Sequence, residues 1–514
     1  MLLTKTKIVT YSHGLIVYPG SQAARRALTA YCVDNLAEWE YVKQPPTWKA
    51  VRQIKRVFAG ATRTRSEYRF HRNALEDVLR CLDRAGIVRS SILFEEKAAP
   101  VPVEVDLTMY TDKEALDYQV GLIEYLSRRD VKIKVTNLQT GKGKTFSALS
   151  AMSNIGVRTI IQLRGGYVNR WLDDLEAMFR FKKGELLVVR GSAALISIIN
   201  QAKAGDFNAK VVVITNKTLH GLFKEHESNP EENMYGCSPE ELYALLGVGL
   251  RIIDEVHEDY HFNFRADIYC NIESSIHLSA TLETEDTFKR YLYDVALPPD
   301  NWYRGIEYDA YIKVIALQYN FKRPSTIEQV RLSERGSDMY SHGAYEKSII
   351  AQPELLRNYL EIIRDPIQKY YIADWKAGEK CLVFCYLVEF VEMVTQYLQE
   401  FYHDLRVMSY VAGTDDIVLK KADIIVSTIG SCGTAIDIPG LKTSLLTQSV
   451  KKLEANEQIK GRLRKPRPPL DFVPTFLYLY NGSIPKHVEY HEAKVAQFRG
   501  KVSCHAMQNM PIHL

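Results

Sequence analysis

The sequence predicts an α/β protein with two successive domains, each built on a parallel β-sheet whose two faces are covered by helices. Short, almost continuously apolar segments alternate with helical patterns from about residue 131 onward. Such segments are typical of strands buried on both faces, which is the arrangement of parallel sheets. The alternation fades between about 285 and 375 and then resumes, which indicates two α/β domains rather than one.

The predicted strands fall into two groups. In the first domain they lie at 131–135, 157–163, 185–189, 210–215, 250–255 and 274–279. In the second domain they lie at 379–387, 405–411, 422–428, 443–448 and 474–480. Residues 485–502 add an amphipathic helix that we expect to pack on the second domain.

The first hundred residues differ from the rest, because Tyr, Arg and Lys are frequent and Pro45 and Pro46 interrupt the segment. We expect a small α+β accessory domain there, ending in an extended linker at 98–105 that contains two prolines. The predicted domains are therefore 1–105, 106–300 and 301–514.

Composition predicts a folded intracellular protein. Hydrophobic residues make up 46% of the chain, and the net charge of +4, from 66 basic and 62 acidic residues, does not identify a partner. Eight scattered cysteines without a CxxC pair indicate reduced thiols, and Cys381 and Cys385 are expected to be buried in a strand. No apolar run approaches the ~18 residues of a spanning helix, and lysines interrupt the N-terminal segment. We expect a cytoplasmic protein without a signal peptide or membrane segment.

The segment LQTGKGKT at 138–145 follows a predicted strand and leads into a helix that begins near Lys144. Glycines let backbone N–H groups close around an anion, and a helix N-terminus adds its dipole. The Lys144 ammonium would reach the β- and γ-phosphates, and the Thr145 hydroxyl would ligate magnesium. The alternative is a flexible basic turn, since Leu138 stands where the general pattern has glycine. The phosphate-loop interpretation predicts ATP and Mg²⁺ as ligands of residues Thr140, Gly141, Lys142, Gly143, Lys144 and Thr145.

Acidic residues end another strand of the same predicted sheet, at Asp254-Glu255-Val256-His257. Asp254 is suited to hold the magnesium of the nucleotide, and Glu255 to orient and deprotonate the attacking water. The alternative is an acidic strand end on a solvated loop. The next strand ends in Ser279-Ala280-Thr281, which alone carries little information.

A basic segment in the second domain contains Gln458, Arg462 and Arg464. Phosphoryl transfer benefits from a guanidinium that neutralises charge on the γ-phosphate, and an arginine of a second domain can supply it. The alternative is a solvated basic helix end.

In this order, the phosphate loop, DEVH, SAT and QxxGR resemble the motifs of superfamily 2 helicases and translocases of the DExH type. The resemblance covers roughly residues 106–480 and implies two RecA-like domains that move along nucleic acid with ATP. It also implies roles for residues that the motifs match. Adenine or nucleotide binding is implied for Gln119, Asp437 and Gln458. Coupling of the nucleotide and nucleic-acid sites is implied for His257, Ser279, Thr281 and Gly433. Nucleic-acid binding is implied for Arg164, Thr215, Thr218, Tyr386 and Thr428.

The chain departs from the family pattern at three places. Ala435 stands where the family usually has glycine. The second arginine of the final motif is Arg464, while Lys465 occupies the commoner arginine position, so either side chain is a candidate for that role. The stretch from Gly413 to Asp423 is short, and we expect one helix of the second domain to be reduced to a turn.

Residues 41–72 contain nine basic residues and one acid, Glu67. Clustered cations neutralise phosphates, and interleaved aromatic rings stack on exposed bases. We therefore expect nucleic-acid binding here, with Arg56, Arg63 and Arg65 among the contacts. The aromatic side chains concerned are Trp48, Phe58, Tyr68 and Phe70. The alternative is that these rings form a small core.

A small N-terminal module ahead of a DExH core resembles the phage UvsW-type helicases. This resemblance implies an enzyme that remodels branched or forked DNA in recombination, repair or replication. We also expect a monomer without an obligatory protein partner. If the chain is phage-encoded, its location is the host cytoplasm. Three alternatives remain: an RNA helicase or double-stranded-RNA-activated ATPase, a translocating subunit of a nuclease or restriction complex, and a non-catalytic nucleic-acid clamp.

Overall fold

The computed structural model describes residues 5–44, 49–228, 233–280, 282, 284, 286–336, 339–432 and 438–514. The chain divides into two compact units. The first comprises residues 1–138 and 142–306, and the second comprises residues 139–141 and 307–514. The described helices include none that is both long enough and apolar enough to cross a membrane.

The first unit begins with a small mixed sheet, as predicted for an α+β module. Its strands have the order β5-β6-β2-β1-β7, with β1 and β7 parallel and the other pairs antiparallel. A separate antiparallel pair, β3 with β4, forms a hairpin. The elements are β1 (Lys7–Thr10), β2 (Gly14–Tyr18), α1 (Gln22–Asn35), β3 (Ala37–Gln44), β4 (Lys49–Val57), β5 (Gly60–Ala61), β6 (Tyr68–His71), α2 (Leu75–Arg84) and β7 (Leu93–Glu96).

The aromatic residues expected to stack on bases lie in the core of this module. Phe58, Tyr68 and Phe70 are 6%, 0% and 0% exposed. Tyr68 and Phe70 are two residues apart on β6, so strand alternation points both rings to the same, buried side. The base-stacking prediction is therefore wrong for these three residues, while Trp48 lies outside the described residues.

A parallel sheet follows in the first unit, as predicted. Across the described residues it has six strands in the order β10-β11-β9-β12-β13-β8, and every neighbouring pair is parallel. Its strands are almost wholly buried except for the partly exposed edge strand β10, and helices flank the sheet. The elements are α3 (Asp117–Ser127), β8 (Ile133–Asn137), α4 (Lys144–Ile155), β9 (Thr159–Leu163), α5 (Val168–Met178), β10 (Leu186–Val189), α6 (Ser192–Ala204), β11 (Val211–Thr215), α7 (Asn216–Ser228), α8 (Pro239–Leu245), β12 (Leu250–Ile253), α9 (Tyr260–Asp267), β13 (Ser274–Ser279) and α10 (Thr287–Ala296).

The N-terminal module packs on this parallel sheet through buried polar groups. The His13 ring Nε2 lies 2.7 Å from the Ser275 hydroxyl, which lies 2.9 Å from Nε2 of His277. The backbone N–H of Ser12 donates to the Asn271 side chain. Burial lowers the pKa of His13 well below its ordinary value, so this ring is neutral near neutral pH. Module and sheet therefore form one compact unit joined by specific hydrogen bonds.

The second unit is also built on a parallel sheet. Its described strands number seven, in the order β16-β17-β15-β18-β19-β14-β20, and all neighbouring pairs are parallel. The elements are β14 (Lys313–Tyr319), α11 (His342–Ile350), α12 (Pro353–Tyr370), β15 (Lys380–Cys385), α13 (Val388–Phe401), β16 (Val407–Tyr410), α14 (Ile417–Lys421), β17 (Ile424–Thr428), α15 (Ile429–Cys432), β18 (Leu441–Leu446), α16 (Leu453–Lys460), β19 (Thr475–Asn481), α17 (Pro485–Phe498) and β20 (Cys504–Asn509).

These two sheets confirm the predicted fold class of two α/β domains with parallel, helix-flanked sheets behind a small N-terminal sheet. The shortened connection after β16 is also confirmed, since α14 has only five residues. Cys381 and Cys385 are fully buried in β15, as expected.

Candidate nucleotide-binding site

Three strands of the first sheet deliver the predicted motifs to one edge. β13 lies between β8 and β12, and the three strands are parallel, so their carboxyl ends meet at the same edge. The end of β8 leads into the glycine-rich loop, β12 leads into Asp254, and β13 ends at Ser279. In this register Asn137 lies opposite Ser279. In parallel α/β sheets, ligands bind outside this edge.

The glycine-rich loop has the backbone that a phosphate loop needs. Gly141 and Gly143 have φ angles of 90° and 75°, in the left-handed region that favours glycine. Gly143 is the N-cap of α4, and Lys144 is its first residue. A Cβ atom on Gly143 would lie 2.1 Å from Nε2 of Gln119, so a side chain there would displace the Gln119 amide from the loop. The first N–H groups of α4 have no acceptor within the helix and are therefore suited to bind an anion.

Lys144 and Glu255 are in direct contact. The Lys144 Nζ lies 3.1 Å from Oε1 of Glu255, and both side chains are largely buried. Glu255 has a φ of 47°, which is unusual for a residue with a side chain. Backbone strain of this kind is found at functional sites, where the surrounding structure holds it in place. The predicted phosphate-binding lysine and the predicted water-activating glutamate therefore lie side by side in the structure.

Asp254 is held beside this pair by two hydrogen bonds. Its Oδ2 accepts from the Trp171 indole N–H at 2.9 Å, and its Oδ1 accepts from the Glu255 backbone N–H at 3.0 Å. Burial, together with the neighbouring Glu255 carboxylate, raises the pKa of Asp254 to about 6, while the Lys144 ammonium opposes the shift. A carboxylate in this setting gains from a cation beside it.

His257 connects the acidic motif to β13. Its Nδ1 lies 2.7 Å from the Ser279 hydroxyl and 3.4 Å from Oε2 of Glu255. Burial lowers the pKa of His257, so the ring is neutral near neutral pH. The structure thus brings together three residues predicted for hydrolysis and coupling. Thr281, the other predicted coupling residue of this strand end, lies outside the described residues.

Gln119 contacts the glycine-rich loop. Its amide nitrogen donates to the backbone carbonyl of Lys142 at 3.2 Å, and its amide oxygen accepts from the backbone N–H of Leu116 at 3.0 Å. The side chain is 5% exposed. The residue predicted to bind adenine is therefore placed against the loop predicted to bind the phosphates.

The first predicted nucleic-acid contact, Arg164, is joined to the segment after the acidic motif. Its guanidinium pairs with Glu258 at 2.9 Å and with Asp259 at 3.1 Å. Asp259 also accepts from the Asn216 amide at 3.1 Å. These contacts join the residues that follow β9 and β11 to the segment after the acidic motif. A substitution of Arg164 would therefore remove contacts that hold this segment.

Thr215 and Thr218, the other predicted contacts of this unit, have buried hydroxyls that lie 2.7 Å apart. The Thr215 hydroxyl accepts from the backbone N–H of Thr218, and the Thr218 hydroxyl accepts from the backbone N–H of Gly191. In this structure the two side chains fix the start of α7. Their contact with phosphates stays a prediction.

In the second unit, the predicted residues lie at or after the carboxyl ends of strands, on α16, or directly after α16. Tyr386 is half exposed, and its backbone N–H donates to the buried carboxylate of Glu346 at 3.1 Å. The Thr428 hydroxyl donates to Ser431 at 2.9 Å. Gln458 lies on α16 and Arg462 and Arg464 follow it, Arg462 being largely buried. Gly433 and Asp437 lie outside the described residues.

The basic residues of the N-terminal module divide into exposed and paired groups. Arg56, Arg63 and Arg65 are exposed, although Arg65 also donates to the Thr29 hydroxyl at 2.8 Å. Arg69 instead pairs with Glu67 and Glu240, inside the first unit. The exposed arginines remain predicted nucleic-acid contacts.

Three residues of the site region were not predicted: Trp171, Glu258 and Asp259. Trp171 lies on the buried face of α5 with Val168 and Leu175, so its spacing is that of an ordinary core residue. Glu258 and Asp259 directly follow the acidic motif, and their position was the signal that could have identified them. Within the described residues, no group of three or more His, Cys, Asp or Glu side chains is arranged to hold a metal ion.

Comparisons with known proteins find similarity among solved structures only. No protein-family profile matches the sequence. No curated protein matches it either. Among solved structures, the chain is similar to a fragment described as an HsdR subunit of a type I restriction enzyme from Vibrio vulnificus YJ016. The identity is 14%, the match covers 76% of this chain and 68% of that one, and the TM-score is 0.48.

Proposed function

We propose that this chain is an ATP-dependent nucleic-acid motor, a helicase or translocase, and that its substrate is branched or forked DNA. The observation that carries the proposal is the contact of Lys144 with Glu255 beside the buried Asp254, at the carboxyl edge of the sheet. A phosphate-binding lysine, a carboxylate for the metal and a second carboxylate for water are the groups that nucleotide hydrolysis needs.

The residues present fit a magnesium nucleotide. The glycines of the loop hold the left-handed backbone that lets N–H groups converge, and the N-terminus of α4 follows directly. Mg²⁺ is usually held by one or two protein side chains together with substrate phosphates. Thr145 and Asp254 are the candidates for these side chains. When bound, Mg²⁺ neutralises charge on the β- and γ-phosphates.

The protein side chains then have separate tasks in hydrolysis. Lys144 binds the terminal phosphates, and the Glu255 carboxylate accepts the proton of the water that attacks the γ-phosphorus. His257 lies beside the second oxygen of Glu255 and contacts the Ser279 hydroxyl on β13, so a movement of Glu255 would shift the end of that strand. Arg462 and Arg464 are proposed to neutralise charge on the transferred phosphoryl group. Hydrolysis requires Glu255 to exchange its contact with Lys144 for one with water.

The choice of branched DNA rests on the resemblance to UvsW-type helicases, which have a small module ahead of the same core. Two alternative functions are those of an RNA helicase and of an ATPase activated by double-stranded RNA. A third is that of a translocating subunit in a nuclease complex. The residues of the nucleotide site are compatible with all three. The nucleic acid that stimulates hydrolysis distinguishes the first two from branched DNA, and isolation of a nuclease partner would identify the third.

The test is the ATPase rate of the full chain with matched single-stranded DNA, duplex DNA, four-way DNA and double-stranded RNA. Glu255→Gln and Lys144→Ala should each lose about 100-fold or more, since they remove the base and a phosphate contact. Glu176→Gln, the same change at an exposed position of α5, should retain the wild-type rate. Strongest stimulation by four-way DNA supports the proposal. Strongest stimulation by RNA would reject the substrate, and retained activity in both site variants would reject the motor.

A further inference from the structure

The β3–β4 hairpin has two chemically different faces. Paired residues of an antiparallel hairpin point to the same face, so Trp39 with Ile54 and Tyr41 with Arg52 form one face. This set, Trp39, Tyr41, Arg52 and Ile54, is here called the aromatic face. Tyr41 is 73% exposed, Ile54 is 40% exposed and Trp39 is 36% exposed. These side chains are apolar or aromatic and stand in solvent.

The opposite face carries the carboxylates of the hairpin. Glu38 pairs with Lys55 at 3.0 Å, and Glu40 accepts from the Gln53 amide at 3.0 Å. The aromatic face, by contrast, includes a guanidinium but no carboxylate among its four residues. On the aromatic face a polyanion would meet a guanidinium without a carboxylate beside it, whereas on the other face Lys55 and Arg56 stand next to the carboxylate of Glu38.

Arg52 is already arranged for stacking. Its guanidinium carbon lies 4.3 Å from the centre of the Trp39 ring, which is a cation–π contact. The guanidinium plane and the Tyr41 ring are neighbours across the strands, because Tyr41 and Arg52 are directly paired. Flat groups of this kind, held by a strand backbone, are the platforms on which unpaired bases stack.

The hairpin is fixed at its base to the region of the nucleotide site. Phe58, which follows β4, packs its ring on Tyr260, His261 and Phe264 of α9, at centroid distances of 6.2, 4.9 and 5.4 Å. The backbone carbonyl of Val57 lies 3.3 Å from Nε2 of His261. The helix α9 begins three residues after His257. The base of the hairpin is therefore in direct contact with the helix that follows the acidic motif.

We propose that the aromatic face of the β3–β4 hairpin binds an unpaired nucleic-acid strand, with bases stacked on Tyr41 and Arg52. An unpaired strand is favoured over a duplex because the bases of a duplex already stack on one another and do not offer their faces to a tyrosine. This inference rests on the proposed function, since it names the part of the nucleic acid that the motor holds.

The test is fluorescence polarisation of the full chain with labelled dT and U oligonucleotides of equal length, and with a blunt DNA duplex. Tyr41→Ala should weaken binding of the unpaired oligonucleotides at least about fivefold, the lower range for the loss of one base–aromatic stack. Tyr41→Phe should bind as the wild type, because stacking uses the ring face. Val51→Ala, on the opposite face, is the matched control and should also bind as the wild type.

Salt dependence separates stacking from charge. Tyr41→Ala should leave the slope of log affinity against log salt unchanged, since no phosphate contact is lost. Arg52→Gln should reduce that slope if its guanidinium contacts a phosphate, or leave it unchanged if it only stacks. In both cases it should weaken binding of the unpaired strand. Repeating the comparison with dU in place of dT keeps the base the same. A larger loss with dU than with U would then assign the strand as DNA, and the reverse as RNA.

Failure of the hairpin inference can be distinguished from failure of the motor proposal. If the wild type binds unpaired strands and its ATPase is stimulated, while Tyr41→Ala binds equally well, the hairpin inference is wrong and the motor proposal stands. If Tyr41→Ala loses duplex binding as much as single-strand binding, the hairpin contacts a duplex and the inference is also overturned. If the wild type shows neither binding nor stimulation, both proposals fail.

Discussion

Asp254→Asn is expected to make the protein more heat-stable at neutral pH while it abolishes ATP hydrolysis. Burial and the Glu255 carboxylate raise the pKa of Asp254 from 3.8 to about 6. The folded protein therefore binds the Asp254 proton more tightly than the unfolded chain does. This contribution to stability is complete below about pH 4 and is lost as the pH rises through about 6.

The size of the effect follows from the two pKa values. A pKa raised by about 2 corresponds to a cost of about 3 kcal/mol for holding the ionised carboxylate in the folded state. Asparagine has no charge to bury, but its amide nitrogen cannot accept a hydrogen bond from one of the two N–H groups that Asp254 binds, which costs about 1 kcal/mol at every pH. The variant should therefore melt somewhat below the wild type near pH 4, and a few degrees above it near pH 8.

The assay is a thermal melt followed by intrinsic fluorescence, at intervals from pH 4 to pH 8, in EDTA and without nucleotide. Asp173→Asn makes the same chemical change at an exposed position of α5 and should show no such pH-dependent gain. A difference between Asp254→Asn and the wild type that is constant across this range would refute the reasoning. So would a variant that melts below the wild type at pH 8.

Two further predictions concern the loops that position the candidate sites. Gly143→Ala should lose nucleotide binding and melt at a lower temperature, because Gly143 has a φ of 75° and the new Cβ would meet Gln119. Gly86→Ala is the control for the backbone cost alone in the same melts, since Gly86 has a φ of 80° and open space around it. Glu346→Ala should destabilise the second unit by about 2–4 kcal/mol in denaturant unfolding, because two backbone N–H groups lose their buried acceptor. Glu389→Ala, at an exposed position, should change the stability little. Equal effects of Gly143→Ala and Gly86→Ala, or of Glu346→Ala and Glu389→Ala, would contradict the explanation.

The sequence was most informative where strands are buried on both faces. Every strand predicted for the two parallel sheets has a counterpart in the structure, because a continuous apolar segment leaves few other folds. The edge strand β20, Cys504–Asn509, was not predicted, since its exposed and half-buried side chains produce no apolar run. The strand β14, Lys313–Tyr319, was also missed, because the surrounding segment lacks the strand–helix alternation that marks the others.

The motifs predicted which residues to examine but not how they are held. The contact of Lys144 with Glu255 joins residues 111 positions apart, and only the order of strands brings them together. Trp171 could not be recognised as a partner of Asp254, because an indole on a buried helix face looks like core packing in a sequence. The aromatic residues of the N-terminal module show the opposite error, since alternation along β6 buries rings that composition alone assigned to binding.

The polar contacts between the N-terminal module and the parallel sheet also bear on how the chain matures during synthesis. His13 meets Ser275 across 262 positions, and Arg69 meets Glu240 across 171. The module leaves the ribosome before the parallel sheet does, yet its buried histidine and arginine lack these partners until most of the first unit has been made. Until then those groups remain hydrated, and the surface around them stays open to other proteins. The module thus reaches its final surroundings only after later parts of the chain have been made, and a truncated product ending before β13 would leave His13 without Ser275.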